Sequence, residues 1–299
     1  MRSSFFTDGD YVSLNGIWDF RFFAERKDVT REGFSALPLK EEGKGWKPMQ
    51  VPGMWEFAGY VDPLYTNHEY PWHNHFAYTP PIVPDEHNYV GQYRRVITID
   101  KSWKGQDIFL CIGSATSNVR VFVNGKEIGY SEDSKLEARF DLTKYVKVGD
   151  NQLGLEIQRW CDGTFLECQD FWRMAGLSRE TYMYARPKAR VEDVKFTASA
   201  EGVFDLKAEV TAGVSALQLD LTAPDGSSVF SKKVDVKGNE KSESGYRVVR
   251  FNETVPNPAC WSAEAPNLYD LKVSVLSKGK TTETADFKVG FRTVKIVGT

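Results

Sequence analysis

Short runs in which apolar and polar residues alternate recur along the chain, and no stretch keeps a sustained helical period. The clearest is VRVFV at 119–123, which is followed by Asn124-Gly125 and then by KEIGYS. A two-residue hairpin turn needs positive φ at both turn positions, and Asn-Gly accepts it readily. Similar period-2 runs lie at 92–99, 107–112 and 153–160. Because alternate residues of a strand face the same side, this pattern predicts an all-β chain.

The amino-acid composition of the sequence changes near residues 185–194. Seven of the eight tryptophans and all four histidines precede this point. After it, short alternating strands recur between turn sequences such as Pro224-Asp225-Gly226. About seven short strands in roughly a hundred residues is the rhythm of an immunoglobulin-like sandwich. The sequence therefore predicts a β-sandwich over residues 1–187 and an immunoglobulin-like β-sandwich over residues 188–299.

Charge and hydropathy exclude two classes of partner. The net charge of −3 and the sequence pI of about 5.9 provide no basic field for a phosphate backbone, so nucleic acid is not expected as a partner. No apolar run approaches the roughly 20 residues of a membrane-spanning helix, so a membrane is not expected either. The N-terminal residues lack the long apolar segment of a signal peptide, which fits a cytoplasmic start or a signal peptide already removed.

The spacing of the cysteine and histidine residues bears on disulfide and metal chemistry. The four cysteines are too few and scattered for a disulfide framework, and no C-x-x-C pair occurs, so free thiols are expected. The histidines cluster, and His68, His73 and His75 suggest a zinc site. However, the surrounding sequence is rich in Pro, Asn and Tyr and is typical of an irregular loop. Polar loop residues are therefore the favoured interpretation.

One segment, DGTFLECQDFWRMAGLSR at 162–179, has no strand period. It combines Asp162, Glu167 and Asp170 with large apolar side chains and two arginines. A solvated loop does not need the aromatic residues, and a core strand would not tolerate three unpartnered carboxylates. The composition indicates a packed loop that presents a polar group.

Several long motifs together resemble one known family. They are SLNGIWDF (13–20), VPGMW (51–55), YTNHEYPW (65–72), VPDEHNYVGQYRR (83–95), FVNGKEIGYSEDSKLEARFDLT (122–143) and RWCDGTFLECQDFWRMAGLSR (159–179). In this order they resemble bacterial β-galactosidases of glycoside hydrolase family 2. The later motifs CWSAEAPNLYDL (260–271) and VGFR (289–292) resemble the immunoglobulin-like domain of that family. The resemblance implies a jelly-roll, galactose-binding-like sandwich followed by an immunoglobulin-like one.

The resemblance also implies that the chain holds no catalytic residue. In that family the two catalytic glutamates lie on a (β/α)₈ barrel after the GFR strand, and this chain ends where the barrel would start. The expectation is an inactive N-terminal fragment of a retaining β-galactosidase that works with its own C-terminal barrel. The parent enzyme is expected to be a homo-oligomer of the bacterial cytoplasm or periplasm that acts on β-galactosides. Na⁺ and Mg²⁺ are expected in that enzyme, and no cofactor in the fragment.

Site residues follow from the resemblance position by position. The residue matching Asp170 contacts the galactose and a monovalent cation, so Asp170 is expected to bind both substrate and metal. Asn88 is expected to contribute to the same sugar site from a neighbouring loop, although the HNYVG segment lacks the Pro common after this Asn. Glu167, Trp172 and Arg173 are expected to support the loop and orient Asp170.

Three alternatives remain open from the sequence. Asp170 could form only a surface salt bridge with Arg173 or Arg179. The chain could be a free-standing carbohydrate-binding module or lectin. Four tryptophans would then be available to stack on sugar: Trp46, Trp55, Trp72 and Trp103. It could also be related to β-glucuronidases or β-mannosidases, which the YTNHEYP and ECQDFWRMAG blocks make less favoured.

Overall fold

The computed structural model describes residues 6–7, 10–31, 33–36, 45–67, 79–167, 169–238 and 240–298. The described residues are almost entirely strands and loops, which confirms the all-β prediction. Helical structure in them is confined to the α-helix Thr164–Glu167 (α1) and the 3₁₀ turns Arg26–Asp28 and Lys101–Trp103. None of these helices has the length or apolar character needed to cross a membrane.

The strands fall into two compact units, residues 11–185 and residues 186–299, and the second unit also contains the N-terminal strand. In chain order the strands are β1 Phe6–Thr7, β2 Tyr11–Ser13, β3 Gly16–Phe23, β4 Lys47–Val51, β5 Gly53–Met54, β6 Leu64–Thr66, β7 Val90–Ile99, β8 Asp107–Ile112, β9 Val119–Val123, β10 Lys126–Ser131, β11 Ala138–Asp141, β12 Gly149–Gln158, β13 Phe171–Arg173, β14 Gly176–Leu177, β15 Thr181–Arg186, β16 Val191–Ala198, β17 Val203–Val210, β18 Ala216–Thr222, β19 Ser228–Asp235, β20 Arg247–Thr254, β21 Tyr269–Ser277 and β22 Lys280–Val289.

The first unit is a jelly-roll sandwich of two antiparallel sheets. One sheet has six strands in the order β10-β9-β12-β7-β3-β4, and the other has four in the order β11-β8-β15-β2. Two short ribbons, β13-β6 and β14-β5, lie outside these sheets. The predicted hairpin is confirmed, because Asn124 and Gly125 have φ values of 50° and 85° and connect β9 to β10.

The core of the first unit is rich in aromatic side chains. Trp18, Phe20, Trp55 and Tyr93 are almost completely excluded from solvent. The polar atoms of these rings are partnered: Trp18 Nε1 donates to the Leu14 carbonyl at 2.8 Å, and Trp55 Nε1 donates to Tyr93 Oη at 2.7 Å. Burial of large rings with satisfied N–H groups provides much of the apolar area that stabilises such a sandwich.

The second unit is an immunoglobulin-like sandwich. A three-stranded sheet, β16-β17-β20, packs over a five-stranded sheet in the order β1-β22-β21-β18-β19. The alternation predicted from the sequence is visible in β17, where Phe204, Leu206 and Ala208 are buried and the residues between them are more exposed. The edge strand β1 pairs with β22, with Phe6 opposite Asp286. The sequence pattern does not predict this pairing, because it joins residues about 280 positions apart.

A buried ion pair stands at the start of the second unit. Arg186 donates from Nε and Nη2 to the two carboxylate oxygens of Glu283 on β22, at 2.7 and 2.9 Å. Glu283 also accepts the Val191 N–H at 3.3 Å, and the Val191 carbonyl accepts from Arg186. Both charged side chains are nearly inaccessible to solvent. The pair therefore fixes the residues before β16 against the last strand of the sheet.

Candidate functional site

The segment without a strand period forms a loop that leaves β12 and returns through β13. It contains helix α1, and β13 pairs antiparallel with β6, so that Phe171 lies opposite Thr66 and Trp172 opposite Tyr65. Asp170 directly precedes β13. This pairing places the Asp170 carboxylate beside the β6 side chains. We call residues 160–174 the carboxylate loop.

Asp170 presents its carboxylate to solvent. It accepts a hydrogen bond from the Tyr65 hydroxyl at 2.5 Å, and this hydrogen bond raises the pKa of Tyr65. Asp170 forms no ion pair with any residue in the described part of the chain. The salt-bridge alternative is therefore not found there: Arg179 donates to the Lys135 carbonyl at 2.6 Å, and Arg173 is bonded within the loop and to β6. A carboxylate has several acceptor sites, so the Tyr65 bond leaves capacity for a hydroxyl group or a cation.

Glu167 and Arg173 brace the carboxylate loop from inside. Glu167 accepts the Ser134 N–H at 2.8 Å and also the Ser134 hydroxyl. The buried Arg173 donates Nε to Thr66 Oγ1 at 2.9 Å and Nη2 to the Gln169 carbonyl, next to Asp170. These contacts tie the loop to the segment after β10 and to β6.

Trp172 lies on the outside of the carboxylate loop. Its side chain is 54% exposed, and its ring packs against Tyr65 with ring centres 5.5 Å apart. Of the three residues expected to support the loop, Trp172 is the one that the structure places on the outer face. The reason is the pleat of β13, since neighbouring strand residues point to opposite faces and Arg173 occupies the inner one. Trp172 therefore packs against the tyrosine that donates to Asp170.

Asn88 does not have the exposed amide that the resemblance implies. Its side chain is 1% exposed. Nδ2 donates to the Trp160 carbonyl at 3.1 Å, and Oδ1 accepts the Trp160 N–H at 2.9 Å. Both ends of the amide are therefore used by the first residue of the carboxylate loop. In the described residues Asn88 therefore braces the backbone of the loop, and its expected contribution to the sugar site stays a prediction.

Glu56 is a loop-supporting residue that the sequence reasoning missed. Both of its carboxylate oxygens accept the Ala175 N–H, at 3.2 and 3.1 Å, and Oε1 lies 3.9 Å from Nη2 of Arg159. Burial raises the pKa of Glu56, and burial lowers the pKa of Arg159. Arg159 and Ala175 flank the carboxylate loop, so one buried carboxylate holds both of its ends. The available signal was a charged residue directly after the core residue Trp55.

Two metal hypotheses can be compared with the structure. His68, His73 and His75 lie outside the described residues, as does Cys168. A different group, Glu132, Cys161 and Asp162, places one possible ligand atom from each residue within 4.8 Å of the others. Burial raises the pKa of the Cys161 thiol, which makes it a poor metal ligand, so only the two carboxylates suit a hard cation. Cys111 and Cys161 are buried free thiols, as expected from their spacing.

Comparison with protein families gives two matches that follow the two units. A family model described as the sugar binding domain of glycosyl hydrolases family 2 matches residues 11–187. A second model, described as glycosyl hydrolases family 2, matches residues 189–292.

Comparison with curated proteins gives relatives named β-galactosidase. The protein from Priestia megaterium is 36% identical over 296 residues, and that from Leuconostoc mesenteroides is 36% identical over 304 residues. These alignments cover 96% and 95% of this chain but 28% of each relative. The chain therefore spans less than a third of the length of the curated relatives that it matches.

Comparison with solved structures shows the same fold in more distant proteins. A β-glucuronidase of Bifidobacterium dentium aligns with a TM-score of 0.70 and 18% identity, over 97% of this chain and 50% of that one. A β-glucuronidase of Bacteroides uniformis aligns with a TM-score of 0.71 and 16% identity, over 94% and 32%. At these identities the comparison shows a shared arrangement of strands and nothing about substrate.

Proposed function

The chain belongs to glycosyl hydrolase family 2, and from that membership we propose that it is the non-catalytic N-terminal part of a retaining β-galactosidase. Its relatives named β-galactosidase support the galactoside as substrate class. The observation that carries the site is the placement of Asp170, an exposed carboxylate oriented by Tyr65 on a loop fixed at both ends by Glu56. In the complete enzyme this carboxylate forms part of the galactose subsite.

Asp170 is a binding residue in this proposal. Its oxygens accept a hydrogen bond from a sugar hydroxyl group, while the Tyr65 hydroxyl keeps the carboxylate in one orientation. Retaining hydrolysis needs two further carboxyl groups about 5 Å apart, one as nucleophile and one as acid and base. We assign these to the catalytic barrel, in the length of the relatives that this chain does not cover.

The Asp170 carboxylate is also suited to be one ligand of a monovalent cation. An exposed carboxylate oxygen is a suitable ligand for a hard cation such as Na⁺. When bound there, Na⁺ would supply positive charge beside a sugar hydroxyl group, and Asp170 would be one of the residues that hold it. For the complete enzyme, the proposal also includes binding of Mg²⁺ and assembly into a homo-oligomer.

The test is a substrate comparison on the complete enzyme that contains this chain. We expect hydrolysis of an aryl β-galactoside and little of the matching β-glucuronide. Asp170→Asn removes charge from the subsite, so kcat/KM for the galactoside should fall by about two powers of ten. Asp85→Asn is the matched control, because Asp85 is an exposed carboxylate paired with Arg26. Preference for the glucuronide would refute the substrate class, and an unchanged kcat/KM in Asp170→Asn would refute the site.

A further inference from the structure

A small cavity lies behind the carboxylate loop, within the first unit. Its volume is about 40 Å³. One water needs roughly 10–15 Å³ of such volume, so this space suits about three or four small groups and is too small for a hexose. Its walls come from residues 116–117, residues 134–135 and the segment between Arg159 and Met174.

Two polar atoms of the cavity residues lack a partner. The Arg159 side chain is more than nine-tenths buried, and its Nε–H finds no acceptor in the described chain. The Thr116 hydroxyl is buried and is likewise unpartnered there. Unsatisfied buried donors are rare in folded proteins because each loses its hydrogen bonds to water. Both residues line this cavity, which makes it the candidate place for an acceptor.

The charges around the cavity favour an anionic acceptor. Lys135, Arg159 and Arg173 line it, and two carboxylates lie against these cations: Glu167, which is bonded to Ser134, and Glu56, which lies 3.9 Å from Arg159. Burial, and then the nearby Arg179 and Arg173, lower the pKa of Lys135. Water would provide an acceptor but no negative charge.

We propose that this cavity binds one carboxylate group, held by the Arg159 guanidinium, the Thr116 hydroxyl and the Lys135 ammonium. A carboxylate presents two oxygens, which match a guanidinium and a second donor. The group comes either from a small free carboxylate anion or from an Asp or Glu side chain of another polypeptide segment. This site is separate from the sugar contact at Asp170 and does not depend on the galactoside assignment.

The experiment is a titration of the 299-residue chain with sodium formate, with sodium chloride at the same ionic strength as the control. Binding is measured by calorimetry and by tryptophan fluorescence, because Trp160 lines the cavity. We expect saturable binding of one formate per chain. A parallel titration uses N-acetyl-aspartate methylamide. Tighter binding of this compound than of formate identifies a side-chain carboxylate as the occupant, and weaker binding identifies a free anion. Absence of saturable binding for both probes overturns the proposal and leaves ordered water as the occupant.

Two variants and one control locate the binding. Arg159→Met removes the guanidinium and should weaken formate binding about tenfold or more. Thr116→Val keeps the shape of the side chain but removes the hydroxyl, and it should weaken binding severalfold even if Arg159→Met does not fold. Arg120→Met removes a partly exposed arginine paired with Glu127 in the same unit and should leave binding unchanged. Formate binding with wild-type affinity by Thr116→Val, and by an Arg159→Met variant shown to be folded, would overturn the proposal.

Discussion

Both carboxylate oxygens of Glu56 accept the backbone N–H of Ala175, a residue 119 positions later in the chain. The same carboxylate lies 3.9 Å from the Arg159 guanidinium, at the other end of the carboxylate loop. The Glu56 carboxylate, which is distant in sequence from the loop, therefore holds the two ends of the loop together. The exposed Asp170 gains a rigid support in this way, although its own side chain has only one hydrogen bond within the described residues.

The stability of the first unit should depend on pH through Glu56. Burial raises the pKa of Glu56 above the ordinary value of about 4.3. Stability from this group is therefore fully present below the ordinary pKa and is lost as the pH rises through the raised one. Glu56→Gln does not titrate, so the Tm of wild type minus that of the variant should decrease as the pH rises from about 4 to 8. Thermal melts at half-unit steps, with Glu127→Gln as an exposed control, test this; a flat or rising difference contradicts it.

Asn88→Ala should destabilise the protein. Asn88 makes two buried hydrogen bonds with the backbone of Trp160, and the substitution removes both of them. We expect a loss of about 2–4 kcal/mol in the free energy of unfolding, measured in urea. Asn252→Ala, at an exposed amide bonded to Asp205, should cost less than about 1 kcal/mol. If Asn88 served only to contact sugar, the two variants would unfold alike.

Tyr65→Phe should reduce activity in the complete enzyme without loss of fold. The ring still packs on Trp172, but the hydroxyl that orients Asp170 is lost. We expect kcat/KM for an aryl β-galactoside to fall about tenfold, with an unchanged Tm. Tyr11→Phe removes a hydroxyl that donates to the Glu180 carboxylate and is the matched control. Equal activity of the two variants would show that Tyr65 does not position the carboxylate.

Glu283→Gln should strongly destabilise the second unit. The substitution leaves the buried Arg186 without the carboxylate that accepts two of its hydrogen bonds. Breaking a buried pair in this way costs about 3–5 kcal/mol, whereas an exposed pair contributes about 1 kcal/mol or less. Asp270→Asn, which breaks an exposed pair with Lys288, is the comparison. Urea unfolding followed by Trp261, the single tryptophan after residue 185, should separate the two variants clearly.

The 299-residue chain alone should not hydrolyse aryl β-galactosides. The relatives are more than three times as long, and the proposed double displacement is assigned to their remaining length. The measurement is release of nitrophenol from 4-nitrophenyl β-galactoside by repurified protein. Turnover that elutes with the chain through successive columns would contradict this prediction.

Sequence pattern predicted the strands better than the site. Alternation and the Asn124-Gly125 turn fixed the β9–β10 hairpin, because both depend on residues adjacent in sequence. The composition of residues 162–179 also indicated a packed loop that presents a polar group. What could not be predicted depends on contacts distant in sequence, such as the bond from Glu56 to Ala175 or that from Asn88 to Trp160. Alternation predicts which face of a strand a residue occupies, but it does not predict which distant residue contacts it there.

The pairing of β1 with β22 has a consequence for the order of events during synthesis. Phe6–Thr7 leaves the ribosome before the other strands described here, whereas its partner begins at Lys280, roughly 270 residues later. At about 5–20 residues per second, the interval is on the order of ten to sixty seconds. The first sandwich has all its strands well before then, so it can fold while the N-terminal strand is still unpaired. The second sandwich closes its sheet with a strand made before the whole first sandwich, and it is the last part of these residues to be completed.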